Sequence, residues 1–365
     1  MNEVPIRLTL VSQVTAMLRQ SIAAGIWKES LPSEMELGQL LHVSRITVRA
    51  ALAELVAQKV VSSGRGQRRR ILRRPKKTIP AGPKRVVLLA PIPLREMPRF
   101  ELFWIDEVRE HLAGAGFHLE VHKEAACSGN TPGKALEKLN QRLNPSGWIL
   151  LQSTRAAQQW FSKNGRLAVI AGSRHPGVNL PFVDVDYRAL CHHAAGRLLA
   201  SGHRRLAFIN LNSGLAGDLD SEQGFLEAAR QSKSPTSGIV LRHNRSPEDV
   251  IRRMNALLGR PDAPTGFLVS KAYHALTVMG CLRQRGLRVP EDCSIISRDR
   301  EAYLEHTVPR MTHYAADPEL LGRNLSRLLT QMISSGIILH RECRIMPRFV
   351  AGGTLAERHP ARLST

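Results

Sequence analysis

From Arg85 onward, short apolar runs of strand length alternate with stretches of helical periodicity, and this alternation constrains the fold more than any other feature of the 365-residue chain. Val86–Ala90, Gly147–Leu151, Leu206–Asn210 and Gly266–Val269 read as strands; Trp104–Ala115, Leu190–Ala200, Pro247–Leu258 and Ala272–Gln284 read as helices. Further strands are predicted at His118–His122, Leu167–Ile170, Val183–Val185, Ile239–Arg242 and Cys293–Ser297, and helices at Glu222–Ser232 and Leu320–Ser334. Strands that are apolar along their whole length bury both faces, so they predict parallel sheets covered by helices on each side. Two such series, before and after Gly202, predict two α/β lobes. Ligands in sheets of this kind bind beyond the carboxyl ends of the strands, which between two lobes becomes a hinged cleft.

The first 75 residues follow another pattern. Leu10, Val14, Leu18 and Ile22 recur every four residues, with Val11 and Met17 beside them, and Gly25 ends this amphipathic helix. Ser33 and Glu36 form a capping box before a short helix with Leu37, Leu40 and Leu41 on its inner face. His42-Val43 turns the chain, and Ser44 caps a third helix with Val48, Leu52 and Leu55 as its core stripe. Ser44, Arg45, Thr47 and Arg49 then occupy the N-terminal half of the second helix of a helix-turn-helix, the half that enters a major groove. Arginine can fork onto guanine, and hydroxyls suit phosphate. Val60–Ser63 and Arg69–Leu72 can pair as a hairpin tipped by Gly64-Arg65-Gly66-Gln67-Arg68, a wing for the minor groove or phosphates. A merely solvated basic face would not bring the capping box, the spacing and the arginine-rich wing into register together.

Charge agrees with that placement. The chain carries 52 Lys and Arg against 31 Asp and Glu, a net +21, and residues 1–85 hold 16 basic and 5 acidic side chains, more than three times the charge density of the remainder. A polyanion is the natural partner. Arg73–Lys84, with three prolines and five basic residues, reads as an extended linker. No apolar run approaches the roughly 20 residues of a membrane span, and no signal pattern opens the chain, which predicts a cytoplasmic protein without membrane association. Cys127, Cys191, Cys281, Cys293 and Cys343 lack metal-like spacing and read as reduced thiols.

Residues 8–72 resemble the winged helix of the GntR family, through Leu31-Pro32-Ser33-Glu34-x-Glu36-Leu37, Val43-Ser44-Arg45-Ile46-Thr47-Val48-Arg49 and the glycine-tipped wing. The resemblance implies DNA contacts at Ser33, Ser44, Arg45, Thr47 and Arg49 and at Arg65, Gly66 and Arg68 of the wing. Met35 stands where that family usually has a DNA-contacting arginine, so the operator is expected to differ. The remainder resembles the sensor domain of LacI-type repressors, related to periplasmic sugar-binding proteins. The stretches that carry this are Val185-Asp186-Tyr187 through Gly202-His203-Arg204-Arg205-Leu206, Gly286–Ile296, and Pro309–Thr312 leading into Asp317-Pro318-Glu319-Leu320-Leu321-Gly322. Carried over by position, that family's effector-binding residues fall on Arg174, Ser221, Lys271 and Asp299. Several usual sugar-binding groups are replaced, and Lys271 with Arg298 would suit an anionic effector unless both are surface charges.

The expected organisation is a winged helix-turn-helix at 1–74, a basic linker at 75–84, a two-lobed periplasmic-binding-protein-like α/β domain with parallel sheets at 85–356 and a tail at 357–365. The expected function is a homodimeric transcription regulator, by the resemblance a repressor, that binds an inverted-repeat operator in double-stranded DNA under control of a small-molecule effector. No catalytic, metal or cofactor pattern occurs in a fitting context. An α/β enzyme fused to a DNA-binding head, or a sensor reduced to dimerisation, are the alternatives.

Overall fold

In the computed structural model, residues 10–23, 26–27, 29–41, 43–63, 69–72, 84–125, 129–335 and 341–357 are described. The chain divides into two compact units, Met1–Pro83 and Lys84–Thr365.

The first unit has three helices, α1 (Leu10–Ala23), α2 (Glu34–Leu41) and α3 (Arg45–Ala57). Val14, Leu18 and Ile22 of α1 close on Leu37 of α2 and on Val48, Ala51, Leu52 and Leu55 of α3, all buried. Each valine, leucine or isoleucine among them contributes about 1.5–3 kcal/mol of burial. Two positions depart from the helical expectation: Met17 of α1 is 51% exposed, and Leu40 is 63% exposed because the eight-residue α2 offers the core only the arc that carries Leu37 and Leu41. Val60–Ser63 and Arg69–Leu72 pair as expected, with Ser62 N donating to Arg70 O at 2.8 Å and Leu72 N to Val60 O at 3.0 Å. A third segment joins them. Ile71 N donates to Glu29 O and Leu31 N to Arg69 O, each at 2.9 Å, so Arg69–Leu72 is the middle strand of three. Gly25, His42 and the wing tip lie outside the described residues.

The second unit consists of two lobes. The first contains β1 (Lys84–Ala90), α4 (Arg99–Gly114), β2 (Phe117–Lys123), α5 (Gly133–Leu143), β3 (Gly147–Leu151), α6 (Arg155–Lys163), β4 (Ala168–Ala171) and β5 (Phe182–Val185). The second runs from α7 (Tyr187–Ala200) and β6 (Arg205–Leu211) through α8 (Ala216–Arg230), β7 (Ser237–His243), α9 (Pro247–Leu258), β8 (Gly266–Val269), α10 (Ala272–Gln284) and β9 (Ser294–Ser297) to β10 (Thr312–Ala315). The chain then returns: α11 (Pro318–Ser335) and β11 (Glu342–Ile345) complete the first lobe, and β12 (Arg348–Val350) completes the second. The described strands form two sheets, ordered β11-β5-β4-β3-β1-β2 and β12-β10-β9-β8-β6-β7. Every pairing is parallel except that of β12 with β10.

The lobe boundary differs from the expectation at Gly202. The chain crosses at Asp186, so α7 packs with the second lobe: Leu190, Cys191, Ala194 and Leu198 share a core with Phe208, Phe225 and Tyr314. It crosses again between β10 and α11, whose Leu321, Leu325 and Leu329 pack with Trp104 and Val108 of α4, and a third time at Met346-Pro347. Two glycines permit the closest helix contacts. A methyl group at Gly224 of α8 would overlap the Arg188 carbonyl on α7, and one at Gly322 of α11 would overlap Glu107 on α4.

Candidate functional site

On α3, Ser44 is the N-cap in extended conformation (ψ 150°), and its hydroxyl accepts from Thr47 N at 3.2 Å and lies 2.8 Å from Thr47 Oγ1. The cap supplies an acceptor to an amide that has no partner inside the helix. Ser33 is likewise committed to its helix: its amide donates to Glu36 Oε2 at 2.7 Å and its hydroxyl accepts from Glu36 N at 3.3 Å. Arg45 is exposed, and its guanidinium has no partner among the described residues. Arg49, its side chain 63% exposed, donates to Glu34 Oε2 at 3.1 Å, while the other oxygen of Glu34 takes Arg69 at 3.4 Å. Glu34 therefore ties α2, α3 and the middle strand together, a role its place in the first turn of α2 did not announce. Ile46, 79% exposed beside Arg45, is a further surface residue the charge-based reading passed over; an apolar side chain there could meet a thymine methyl. Arg65, Gly66 and Arg68 lie outside the described residues.

In the second unit, the carboxyl ends of the strands of both sheets face a common cleft. Its inner part is lined from the first lobe by Gln152 and Ser153 after β3, Gly172 and Ser173 after β4, and Asp184 of β5. From the second lobe come Asp218 of α8, Arg245 after β7, Lys271 after β8 and Arg298 after β9. The outer part is more aromatic, with Phe103, Tyr273 and Tyr314, and it abuts the three crossings at Val185–Tyr187, Ala316–Pro318 and Pro347. Gln152 (φ 48°) and Arg245 (φ 69°) are left-handed without being glycine, one on each lobe. Such conformations cost of order 1–3 kcal/mol and concentrate at functional sites.

Two of the cations between the lobes, Arg298 and Lys271, are paired. The Arg298 side chain, 2% exposed, donates to Asp218 Oδ1 at 3.0 Å, Ser221 Oγ at 2.9 Å and Asp299 Oδ1 at 3.1 Å, and its guanidinium stands 4.6 Å over the Tyr187 ring. Lys271 Nζ donates to Asp299 Oδ2 at 2.7 Å. Burial opposes each charge, yet the pairing outweighs it: Asp299 and Asp218 hold Arg298 raised, Asp299 holds Lys271 raised, and Lys271 and Arg298 hold Asp299 lowered. On the first lobe, burial pushes the Asp184 carboxyl up to about 7, against the hydrogen bond that Ser173 Oγ donates to it at 2.6 Å. Burial likewise raises Glu101, with Lys271 opposing.

The expectation that Lys271 and Arg298 present free charge to an anionic effector is therefore not met, nor is its alternative that both lie on the surface. Each is already neutralised by a carboxylate. Ser221 does not line the cleft; it is fully buried and holds Arg298. Arg174 is also absent from the lining: it donates to Leu180 O at 3.2 Å, pairs with Glu342 of β11 and lies 5.2 Å over the Phe182 ring. Lys271 and Asp299 do line the outer and, for Lys271, the inner part. The residues that sequence reasoning missed, Glu101, Asp184, Asp218 and Arg245, come from four separate elements and share no sequence pattern. Among the described residues no group of three or more His, Cys, Asp or Glu is placed to hold a metal ion, and no helix is long and apolar enough to cross a membrane.

Comparison with known proteins matches residues 10–71 to the bacterial regulatory proteins of the gntR family and residues 180–355 to the periplasmic binding protein-like domain. The HTH-type transcriptional regulator CelR of Thermobifida fusca is 31% identical over 170 residues, 45% of this chain and 50% of that protein. The arabinose metabolism transcriptional repressor of Geobacillus stearothermophilus is 26% identical over 326 residues, 84% of this chain and 85% of that one. The alignment thus spans about half the length of the first relative and most of the second. Among solved structures, a CelR–cellobiose complex superposes with a TM-score of 0.64 at 21% identity, covering 89% of this chain and 100% of that chain. A LacI family transcriptional regulator from Bifidobacterium animalis gives 0.66 at 18% identity, covering 76% and 100%. These likenesses establish the fold of the two lobes. The chain thus joins a region that matches the gntR-family regulatory proteins to one that matches the periplasmic binding protein-like domain.

Proposed function

We propose that this chain is a sequence-specific DNA-binding transcription regulator, a repressor, whose operator affinity is set by a small molecule held between the two lobes. In this reading residues 1–74 are the DNA-binding head, 75–84 a basic tether, and 85–356 the effector-binding and dimerisation domain, with 357–365 a tail. The protein acts as a cytoplasmic homodimer and is not an enzyme. Its paired heads read half-sites of an inverted repeat in successive major grooves. Ser44, Arg45, Thr47 and Arg49 position and read the DNA, with Ile46 beside them, and Arg65, Gly66 and Arg68 of the wing grip phosphate or the minor groove. A sugar-like or anionic metabolite occupies the cleft, the sugar by likeness to the regulator solved with cellobiose.

One observation carries this reading: α3 is anchored by buried Val48, Ala51, Leu52 and Leu55 while Arg45, Ile46 and Arg49 at its N-terminal end stay exposed. Effector binding draws the lobes together around the crossings and changes the freedom of the heads, a coupling of about 1–3 kcal/mol, or roughly 5–150-fold in operator affinity. The test is selection from a random DNA pool with the purified protein, then titration of the selected site against a metabolite panel. An enriched palindrome that one metabolite releases bears the reading out. A palindrome indifferent to every compound points to a sensor kept for dimerisation alone. No enriched sequence sends the assignment back to an α/β enzyme carried on a basic head.

A further inference from the structure

Three cations line the inner cleft, and two of them are spent: Arg298 on Asp218 and Asp299, Lys271 on Asp299. The third, Arg245, is different. It is exposed at the cleft, and its guanidinium has neither an ion pair nor a hydrogen-bond partner among the described residues. Its backbone, by contrast, is gripped on both sides. Arg245 N donates to His243 Nδ1 at 3.3 Å, and His274 Nε2 donates to Arg245 O at 3.0 Å.

The two imidazoles that grip it are buried, 1% exposed each, and meet edge to face with centroids 4.3 Å apart. The bonds fix their tautomers: His243 must leave Nδ1 unprotonated to accept, and His274 must carry its proton on Nε2 to donate. The opposite nitrogens, His243 Nε2 and His274 Nδ1, are buried without a partner among the described residues. Burying such groups costs free energy, and so does a left-handed arginine. The fold accepts both costs at the one cation of the inner cleft that is left unpaired among the described residues. The three carboxylates of the inner cleft, Glu101, Asp184 and Asp218, do not answer that charge, and burial raises Glu101. Asp218 is taken by Arg298 and Ser213, and burial pushes Asp184, buried on the facing lobe, toward protonation.

We infer that Arg245 is the anion-recognising residue of the cleft, held out by the His243–His274 clasp, and that the effector is a polyhydroxylated compound bearing a carboxylate or phosphate. The planar guanidinium can fork onto either group. Gln152 and Ser153 across the inner cleft supply amide and hydroxyl groups for neutral oxygens. The inference rests on the effector-responsive reading above and specifies its ligand.

The test is calorimetric titration of the full chain with matched sets: hexoses and pentoses, their aldonic and uronic acids, and their phosphate monoesters. Operator release is measured in parallel. One acidic form is expected to bind at least about 10-fold more tightly than its neutral parent, a usual return for a charge-assisted pair. Arg245→Gln is expected to erase that margin and Arg245→Lys to keep part of it. The acid and phosphate arms tell the two anions apart. A neutral sugar that binds and releases operator as well as its acids overturns this inference and leaves the regulator reading standing. An acid preference that survives Arg245→Gln overturns it too. If no member of any set binds, the effector-responsive reading falls and this inference with it.

Discussion

On α3 of the head, Arg45 is exposed and has no partner among the described residues, and Arg49 meets one carboxylate at the surface; in the cleft, Arg298 is almost wholly buried and answered by two carboxylates, a hydroxyl and an aromatic face. The same side chain serves opposite ends. A solvated guanidinium costs little to hold and is free to exchange water and counterions for phosphate. A buried one has lost its hydration, so its charge must be compensated within the protein before any ligand arrives. A net charge of +21 thus says little about which cations are available. Availability is decided by what each guanidinium already touches, and Arg245, in the cleft yet unpaired among the described residues, combines the two situations.

The largest expected effect breaks the compensated side. Arg298→Met strands Asp218 in a buried site and leaves Asp299 to Lys271 alone, and removing one partner of a buried pair typically costs about 3–5 kcal/mol. Denaturant unfolding of the variant should show that loss. Arg45→Ala should shift the same measurement by less than about 0.5 kcal/mol, as expected for an exposed side chain. Equal stability for the two variants would erase the distinction between the sites.

The complementary experiment weakens the exposed side. Arg45→Ala combined with Arg49→Ala should lower affinity for the selected operator at least about 30-fold, since each good base contact is worth about 1–3 kcal/mol. Fluorescence anisotropy at fixed salt reads this. Specific binding that survives both changes would remove α3 from the interface.

A smaller effect is expected from pH, with opposite signs on the two lobes. Burial, then the neighbouring His274, depresses His243 to about 4 from an ordinary 6.5, so the unfolded chain binds protons that the folded one refuses. Its contribution is intact above pH 6.5 and is withdrawn as pH falls toward 4. Asp184, raised by burial to about 7 from 3.8, contributes in full below pH 3.8 and loses that contribution as pH rises toward 7. In melting curves between pH 4 and 7, Asp184→Asn should gain on the parent protein as pH rises, and His243→Asn should gain on it as pH falls. Parallel curves for parent and variants would show that neither group is perturbed.

The smallest change sharpens the description of the head. Ser44→Ala removes the α3 cap at a cost of about 1 kcal/mol. Thermal melting of the head should register it, while Ser44→Asp, which caps as well, should restore stability and repel DNA.

The helix-turn-helix was legible because its determinants are local. Ser33 with Glu36 and Ser44 with Thr47 act within a single turn, and the four-residue spacing of Val14, Leu18 and Ile22 already places them on one face. The parallel sheets were legible for a similar reason, because strands such as Gly147–Leu151 and Gly266–Val269 are apolar throughout. The partition between lobes was not. The pattern of α7 states that one face is buried but not which sheet buries it, and β11 joins β5 across more than 150 residues of intervening chain. The third strand of the wing sheet, supplied by Glu29–Leu31, is too short and too polar to announce itself.

By itself, then, the sequence determined the order of elements, the caps, the α3 surface and the concentration of positive charge at the N-terminus, all properties of neighbouring residues. Tertiary structure alone decided the state of the cleft. Hydrogen bonds and ion pairs act over about 3 Å while their partners lie far apart in the chain, as Arg298 does from Asp218 and Arg174 from Glu342. Until the fold brings such groups together and removes the water between them, nothing distinguishes a neutralised arginine from one left free to meet a ligand.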